Sequence, residues 1–321
     1  KSKLSEFFSK CDHVILESEF YSPLLLKELA RDHQTELFPS LDSYELLYSK
    51  KNQKIFFNNN NVSNVRSMTI KSDRDVEQVD FKAPFMAKLS TGSYDGYGNL
   101  LIRDKEDLRG KLQKFSDNFQ TPIILEQFVD IVEEFAVMLV KFDEGFEILP
   151  PCQTVQKESI CVQVNFPMKM VHSVRGQVDE AMKKIANALP GKGLFAFEFF
   201  ITREGEVLVN EAAPRVHNSY HFSMEAFNLS QFDIVRELVL GRKLKKLEIE
   251  HSYASMINIL GTRKSESYEL KIPVLSGEYH VGTHMYGKKL MKPGRKMGHV
   301  TVYGERDVSK IAKHIYEEYT L

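Results

Sequence analysis

Residues 195–209 read as strand, tight turn and returning strand, and this pattern constrains the chain more than any other. Residues 195–201 form an apolar run broken only by Glu198, Arg203-Glu204-Gly205 supplies the turn, and Val207-Leu208-Val209 leads back. Glu211 follows in Val209-Asn210-Glu211-Ala212-Ala213-Pro214-Arg215-Val216-His217-Asn218-Ser219. The hairpin therefore predicts that Glu198 and Glu211 lie on neighbouring strands with their carboxylates close together. Two adjacent carboxylates repel, so such a pair is stable only with a cation or a proton between them. Hard oxygen donors that leave several positions open suit magnesium, with nucleotide phosphates completing an octahedron. A solvated hairpin with two surface acids is the simpler alternative. It leaves unexplained why Glu198 stands among Phe195, Phe197, Phe199 and Phe200.

The 321 residues suffice for two or three packed units. Lys and Arg total 43 against 44 Asp and Glu, a net charge of -1 that argues against general affinity for nucleic acid or anionic membranes. No apolar run approaches the roughly 20 residues of a bilayer span, and the first eight residues are too polar for a signal peptide. Cys11, Cys152 and Cys161 are scattered, with no CxxC spacing. That usage fits a reducing compartment, by default the cytoplasm.

Along the chain, residues 5–10 read as the end of a helix and 11–16 as a buried strand. With neither an initiator methionine nor a glycine-rich first turn, the sequence is expected to lack the beginning of its first domain. Helices are predicted over 23–32 and 41–57, a strand over 85–89, a helix over 105–115, and strands over 123–129 and 134–142. A helix over 177–189 precedes the carboxylate hairpin, and a strand-rich region beyond 249 ends in a helix over 308–319.

Four further motifs each carry two readings. The loop 90–99 holds three glycines after a strand bearing Lys88; it suits phosphate approach or a plain turn. Glu126 to Val129, followed by Glu134, offers adenine a backbone edge and ribose a carboxylate, or is a run of surface acids. His217 and His221 have i,i+4 spacing, with Glu225 as a third zinc ligand, but Asn218 stands where HExxH has its glutamate; hydrogen-bonded histidines are the alternative. Finally, Tyr286-Gly287-Lys288-Lys289 and the run 292–299 present cations from turns, either for a phosphate monoester or for solvent.

Taken together, NEAAPRVHNS, the preceding EFF and the later YGK and KPGRKMGHVTV closely resemble the 5-(carboxyamino)imidazole ribonucleotide synthase family of purine biosynthesis. Ser230-Gln231-Phe232, Tyr94-Asp95-Gly96 and the segment from Glu126 to Glu134 match in the same order, so the resemblance runs from about Cys11 to the end. It implies a mixed α+β and α/β chain with an ATP-grasp fold, a truncated N-terminal α/β domain over 1–45, and an ATP-grasp domain over 46–248 with a lid near 65–140. A small strand-rich C-terminal domain over 249–321 completes it. The family usually forms homodimers and uses ATP to activate bicarbonate as carboxyphosphate, which carboxylates 5-aminoimidazole ribonucleotide.

By the resemblance, Glu198 and Glu211 hold magnesium. Lys50 and Lys88 contact ATP phosphates, Glu126 and Val129 line the adenine pocket, and Glu134 bonds the ribose. Tyr94, Asp95, Arg215 and His217 form the catalytic set. Glu17, Asn218, Lys288 and Arg295 bind the acceptor nucleotide, the last two at its phosphate. Some positions depart from the family pattern. Ser93 replaces a glycine, Tyr97 a cation and Asn99 a glutamine; Tyr220 and Phe222 stand where relatives carry Gly and Tyr. Gln153-Thr154-Val155-Gln156 replaces a common Glu-Asn-Val-His. Tyr97 and Tyr220 point to a changed acceptor as one rival reading. A nucleotide-binding protein without turnover is the other, and retention of both Glu198 and Glu211 argues against it.

Overall fold

Two short apolar runs near the start pair in parallel, His13–Ile15 with Glu36–Phe38, and the helix Pro23–His33 carries the chain between them. Val14, Leu16, Leu26, Leu29, Leu37 and Tyr44 close the core of this layer. The computed structural model describes residues 2–92, 98–273 and 277–321. Tyr94, Asp95, Tyr97 and Ser93 thus lie outside the described residues. Contacts divide the chain into two units. The first comprises Lys1–Glu133, Val137–Leu149 and Met170–Val216, the second Glu134–Ala136, Pro150–Lys169 and His217–Leu321. Residues 217–248, grouped above with the ATP-grasp segment, pack in the second unit. One reason is a pair of hydrogen bonds, 2.7 and 2.8 Å, between the side-chain amides of Asn218 and Asn258.

The single helix expected over 41–57 is two, Leu41–Leu47 and Lys50–Asn59. Ser49 breaks it: its backbone is extended (φ -127°, ψ 148°) and its hydroxyl accepts the Asn52 N–H, satisfying a donor that a new helix start leaves open. The restart places Lys50 in the first turn and Lys54 one turn later, on one helix face.

A four-stranded antiparallel sheet follows, in the order Ser67–Ile70, Ile123–Gln127, Phe85–Leu89, Asn99–Ile102. Strand alternation sorts its two faces. Phe85, Ala87, Ile123 and Leu125 enter one apolar cluster with Leu108 and Leu112 of the helix Leu108–Phe115. Lys88 and Glu126 are left on the opposite face. They are diagonal neighbours, because Met86 pairs with Glu126 and Lys88 with Ile124.

Gly193–Thr202 and Val207–Ala213 form the expected hairpin, with Gly205 at φ 81° in its turn. Glu198 pairs directly with Glu211, and the register shifts immediately afterwards, so that Phe199 pairs with Val209. Asn210 is the extra residue of this bulge. A bulge bends the strand and re-aims side chains, which puts consecutive polar residues, Asn210 and Glu211, where alternation would admit one.

In the second unit the sheet runs Cys152–Lys157, Ile160–Phe166, Tyr253–Leu260, Lys296–Gly304, His280–Met285, with Glu134–Ala136 pairing along Cys152–Thr154. The helix Ser309–Glu318 covers Ile257, Val300 and Val302. Tyr220 and Phe222 are fully buried, with ring centroids 5.4 Å apart, and the Tyr220 hydroxyl donates to the Pro150 carbonyl at 2.8 Å. Tyr220 therefore fills interior volume and lends no support to a changed acceptor. Among the described residues no helix is long and apolar enough to cross a membrane.

The helix Gln231–Val239 opens with a complete capping box: the Ser230 side chain accepts from the Asp233 N–H and the Asp233 carboxylate accepts from the Ser230 N–H. Ser230→Ala is predicted to lower stability by about 1 kcal/mol in urea denaturation. An unshifted midpoint would mean that the box contributes nothing.

Candidate functional site

In the first unit, lysines and carboxylates from five elements converge. The Lys50 ammonium contacts the Glu211 carboxylate. Lys88 Nζ lies 2.7 Å from one oxygen of Glu126, and Lys54 Nζ lies 2.8 Å from the other. Lys88 also donates to Asn210 Oδ1 at 2.8 Å, so the bulged residue ties the lysine of the four-stranded sheet to the carboxylate hairpin. Gln53 fixes the remaining edge: its amide oxygen accepts the Ala212 N–H and its NH2 donates to the Ala212 carbonyl, both at 2.9 Å. A buried amide one helical turn from Lys50 thereby sets the depth of the strand that carries Glu211.

Burial alone would push the Glu126 and Glu211 carboxyls up. Lys88 and Lys54 outweigh it at Glu126, and Lys50 outweighs it at Glu211, so both sit below the ordinary glutamate range. Burial would likewise lower Lys88, but Glu126, Glu211 and Glu198 hold it above the ordinary lysine value. Lys54 goes the other way: burial, reinforced by Lys88, depresses it despite Glu126. Three lysines thus meet three glutamates in one partly desolvated cluster. The guanidinium of Arg215 forks onto Glu19 at 2.7 and 2.9 Å, a bidentate pair. Glu17 is exposed, and the acid of that segment that reaches Arg215 is Glu19.

The second unit holds the other predicted residues. The His217 N–H donates to Gln231 Oε1 at 2.8 Å, its carbonyl accepts from Gln231 Nε2 at 3.0 Å, and its Nδ1 bonds the Ser219 hydroxyl. Asn218 commits its amide to Asn258, keeping one N–H and one lone pair of that amide outside the pairing. Lys288 Nζ donates to the Lys296 carbonyl at 2.6 Å and lies 5.2 Å from the centre of the Tyr286 ring. Arg295 is exposed and bonds the Leu290 carbonyl. Glu134 belongs to this unit, whereas Lys88, Glu126 and Val129 belong to the first.

The zinc alternative does not assemble. Asn218–Tyr220 is a 3-10 turn, whose three residues per turn take His217 and His221 off a shared face. His221 Nδ1 instead bonds Gln231, and Glu225 bonds His284 Nε2 at 2.6 Å. Among the described residues no group of three or more His, Cys, Asp or Glu is arranged to hold a metal.

The ATP-grasp domain model matches residues 55–232, more than half of the chain, and the phosphoribosylaminoimidazole carboxylase C-terminal domain model matches residues 254–313. The chain belongs to the ATP-grasp family. Within it, the chain belongs with the N5-carboxyaminoimidazole ribonucleotide synthases: the Synechocystis sp. member is 31% identical over 92% of this chain and 77% of its own length. A phosphoribosylaminoimidazole carboxylase of Ogataea methanolica is 30% identical over 94% of this chain but 56% of its own, so the chain spans about half the length of that relative. The carboxyaminoimidazole ribonucleotide synthase structure from Aspergillus clavatus complexed with ATP aligns with a TM-score of 0.83 at 26% identity, covering 99% of this chain and 82% of that one. The same organism's enzyme in complex with ADP and 5-aminoimidazole ribonucleotide aligns at 0.79 and 27%, over 94% and 80%.

Sequence reasoning missed Lys54, Gln53, Asn210 and Glu19 in the first unit. Lys54 stands at i+4 from Lys50, a signal that was available. The bulge at Asn210 had no signal. Also missed was a histidine stack in the second unit: His299 lies between His284 (centroids 4.8 Å) and His221 (5.0 Å), with Nδ1 bonded to the Tyr286 hydroxyl. Burial, then His221 and His284, push the His299 pKa down to about 3. Above its ordinary value of 6.5 both folded and unfolded states are neutral; below it the unfolded chain takes up a proton that the native chain refuses. Stability is predicted to fall as pH drops from 6.5 toward 3, and His299→Gln to flatten that slope in urea denaturation between about pH 6 and pH 4. An unchanged slope would place the titration elsewhere.

Proposed function

We propose that this chain carries out the ATP- and bicarbonate-dependent carboxylation of 5-aminoimidazole ribonucleotide, giving N5-carboxyaminoimidazole ribonucleotide, ADP and phosphate. The direct pairing of Glu198 with Glu211, with Lys50 on Glu211 and Lys88 beside it at Asn210, carries the reading. Relatives solved with ATP, and with ADP and 5-aminoimidazole ribonucleotide, support the choice of substrates.

A bicarbonate oxygen attacks the γ-phosphorus of ATP, the bond to ADP breaks, and carboxyphosphate forms. The exocyclic amine of the acceptor then bonds the carboxyl carbon and loses a proton, and phosphate carries away the electrons of the broken C–O bond. Such steps need charge neutralisation and positioning more than a protein nucleophile. Glu198 and Glu211 are two facing hard-oxygen donors, both partly open to solvent, a set that fits magnesium, and they would hold it. Bound there, magnesium neutralises charge on the phosphate oxygens. Lys50 and Lys88 bind phosphate oxygens. Because the Glu126 carboxylate is taken by two lysines, segment 126–129 meets adenine through its backbone. Glu134 receives the ribose. Tyr94, Asp95, Arg215, His217, Asn218 and Glu17 serve bicarbonate and the acceptor, with Lys288 and Arg295 at the acceptor's phosphate. Magnesium, a homodimer and a cytoplasmic setting belong to the same proposal.

The test is ADP release from ATP, magnesium and bicarbonate, with and without 5-aminoimidazole ribonucleotide. Strong stimulation by the nucleotide is expected; bicarbonate-dependent release that ignores it would assign another acceptor. Glu211→Gln is predicted to reduce kcat by about a hundredfold or more while the protein stays folded by circular dichroism. Retained turnover would remove Glu211 from the metal site.

A further inference from the structure

Glu126 is 3% exposed and is held by ammonium groups from two different elements. Lys88 comes from the strand Phe85–Leu89 and Lys54 from the helix Lys50–Asn59, each on its own carboxylate oxygen. One carboxylate needs one counter-charge, so the second lysine requires an explanation. The two lysines are not equivalent. Lys88 also reaches Asn210, beside Glu211, where phosphate oxygens are expected. Lys54 has a side chain 8% exposed and, besides Glu126, makes a long hydrogen bond, 3.4 Å, to the Val65 carbonyl.

If Lys88 turns toward a phosphate, Glu126 loses a partner in a place that water does not reach. Leaving a buried carboxylate bare is strongly unfavourable. With Lys88 as its sole partner, Glu126 would hold that lysine back from the nucleotide. We propose that Lys54 is the reserve counter-ion of Glu126, keeping the carboxylate neutralised when Lys88 moves to the nucleotide phosphates. Lys54 is then a positioning residue: it touches no substrate and acts through Glu126 on Lys88. Before nucleotide arrives, Glu211 and Glu198 balance the surplus positive charge at Lys88. The inference rests on the nucleotide-binding reading above. It differs from a plain structural tie between helix and four-stranded sheet, because a tie broken at one end is not restored by removing the other.

Titration calorimetry with magnesium and a non-hydrolysable ATP analogue tests it on the full chain, with melting curves for every variant. Lys54→Met is expected to weaken binding about a hundredfold. Lys54→Arg is expected to stay within about threefold of the parent, and adding Glu126→Gln to Lys54→Met is expected to recover about tenfold or more of the affinity that Lys54→Met loses. A double variant as weak as Lys54→Met, or a Lys54→Met protein that binds normally, overturns the inference while leaving the nucleotide reading intact. A parent protein that binds no analogue overturns both. Should the methionine variant not fold, Lys54→Gln carries the same arms.

Discussion

The structure depends on one repulsion being managed: Glu198 faces Glu211 across a hairpin whose other residues are mostly buried and apolar. Two carboxylates in that position demand positive charge, and the fold delivers it from three directions. Lys50 comes from a helix, Lys88 from the four-stranded sheet, and Arg215 from the segment following the hairpin, where Glu19 forks onto it. The bulge at Asn210 makes this possible. It turns one extra side chain toward Lys88 without moving Glu211 out of register with Glu198.

Burial magnifies every term in this cluster. In a partly desolvated site ionic attraction is stronger than in water, and so is the penalty for a missing partner. That asymmetry accounts for the near balance of three lysines and three glutamates. It also accounts for Gln53, which satisfies both backbone groups of Ala212 and keeps the strand beside Glu211 from shifting. Positional precision of this kind is what phosphoryl transfer asks of a protein, since catalysis there is mainly placement and neutralisation.

The second unit uses hydrogen bonds where the first uses charge. Gln231, with no exposed surface, holds both backbone groups of His217 and the ring of His221. The Asn218–Asn258 amide pair and the Ser230 capping box fix the same segment from either side. A buried His299 kept neutral by its surroundings fits this pattern, because an imidazolium would need to donate from both ring nitrogens and the buried Nε2 has no hydrogen-bond partner among the described residues.

By itself the sequence determined the carboxylate hairpin, the strand bearing Lys88, most helices to within a few residues, and the family. These follow from local alternation, turn residues and motif order, which any short window of sequence contains. It also offered Lys50, and Lys54 at i+4 was there to be read. The tertiary structure decided the break at Ser49, the bulge at Asn210, the burial of Tyr220, the pairing of Glu19 with Arg215, and the double lysine on Glu126. Each of these depends on which groups are brought together from distant parts of the chain and on how much water is left between them. Neither quantity is a property of a local pattern, so no window of sequence could contain it.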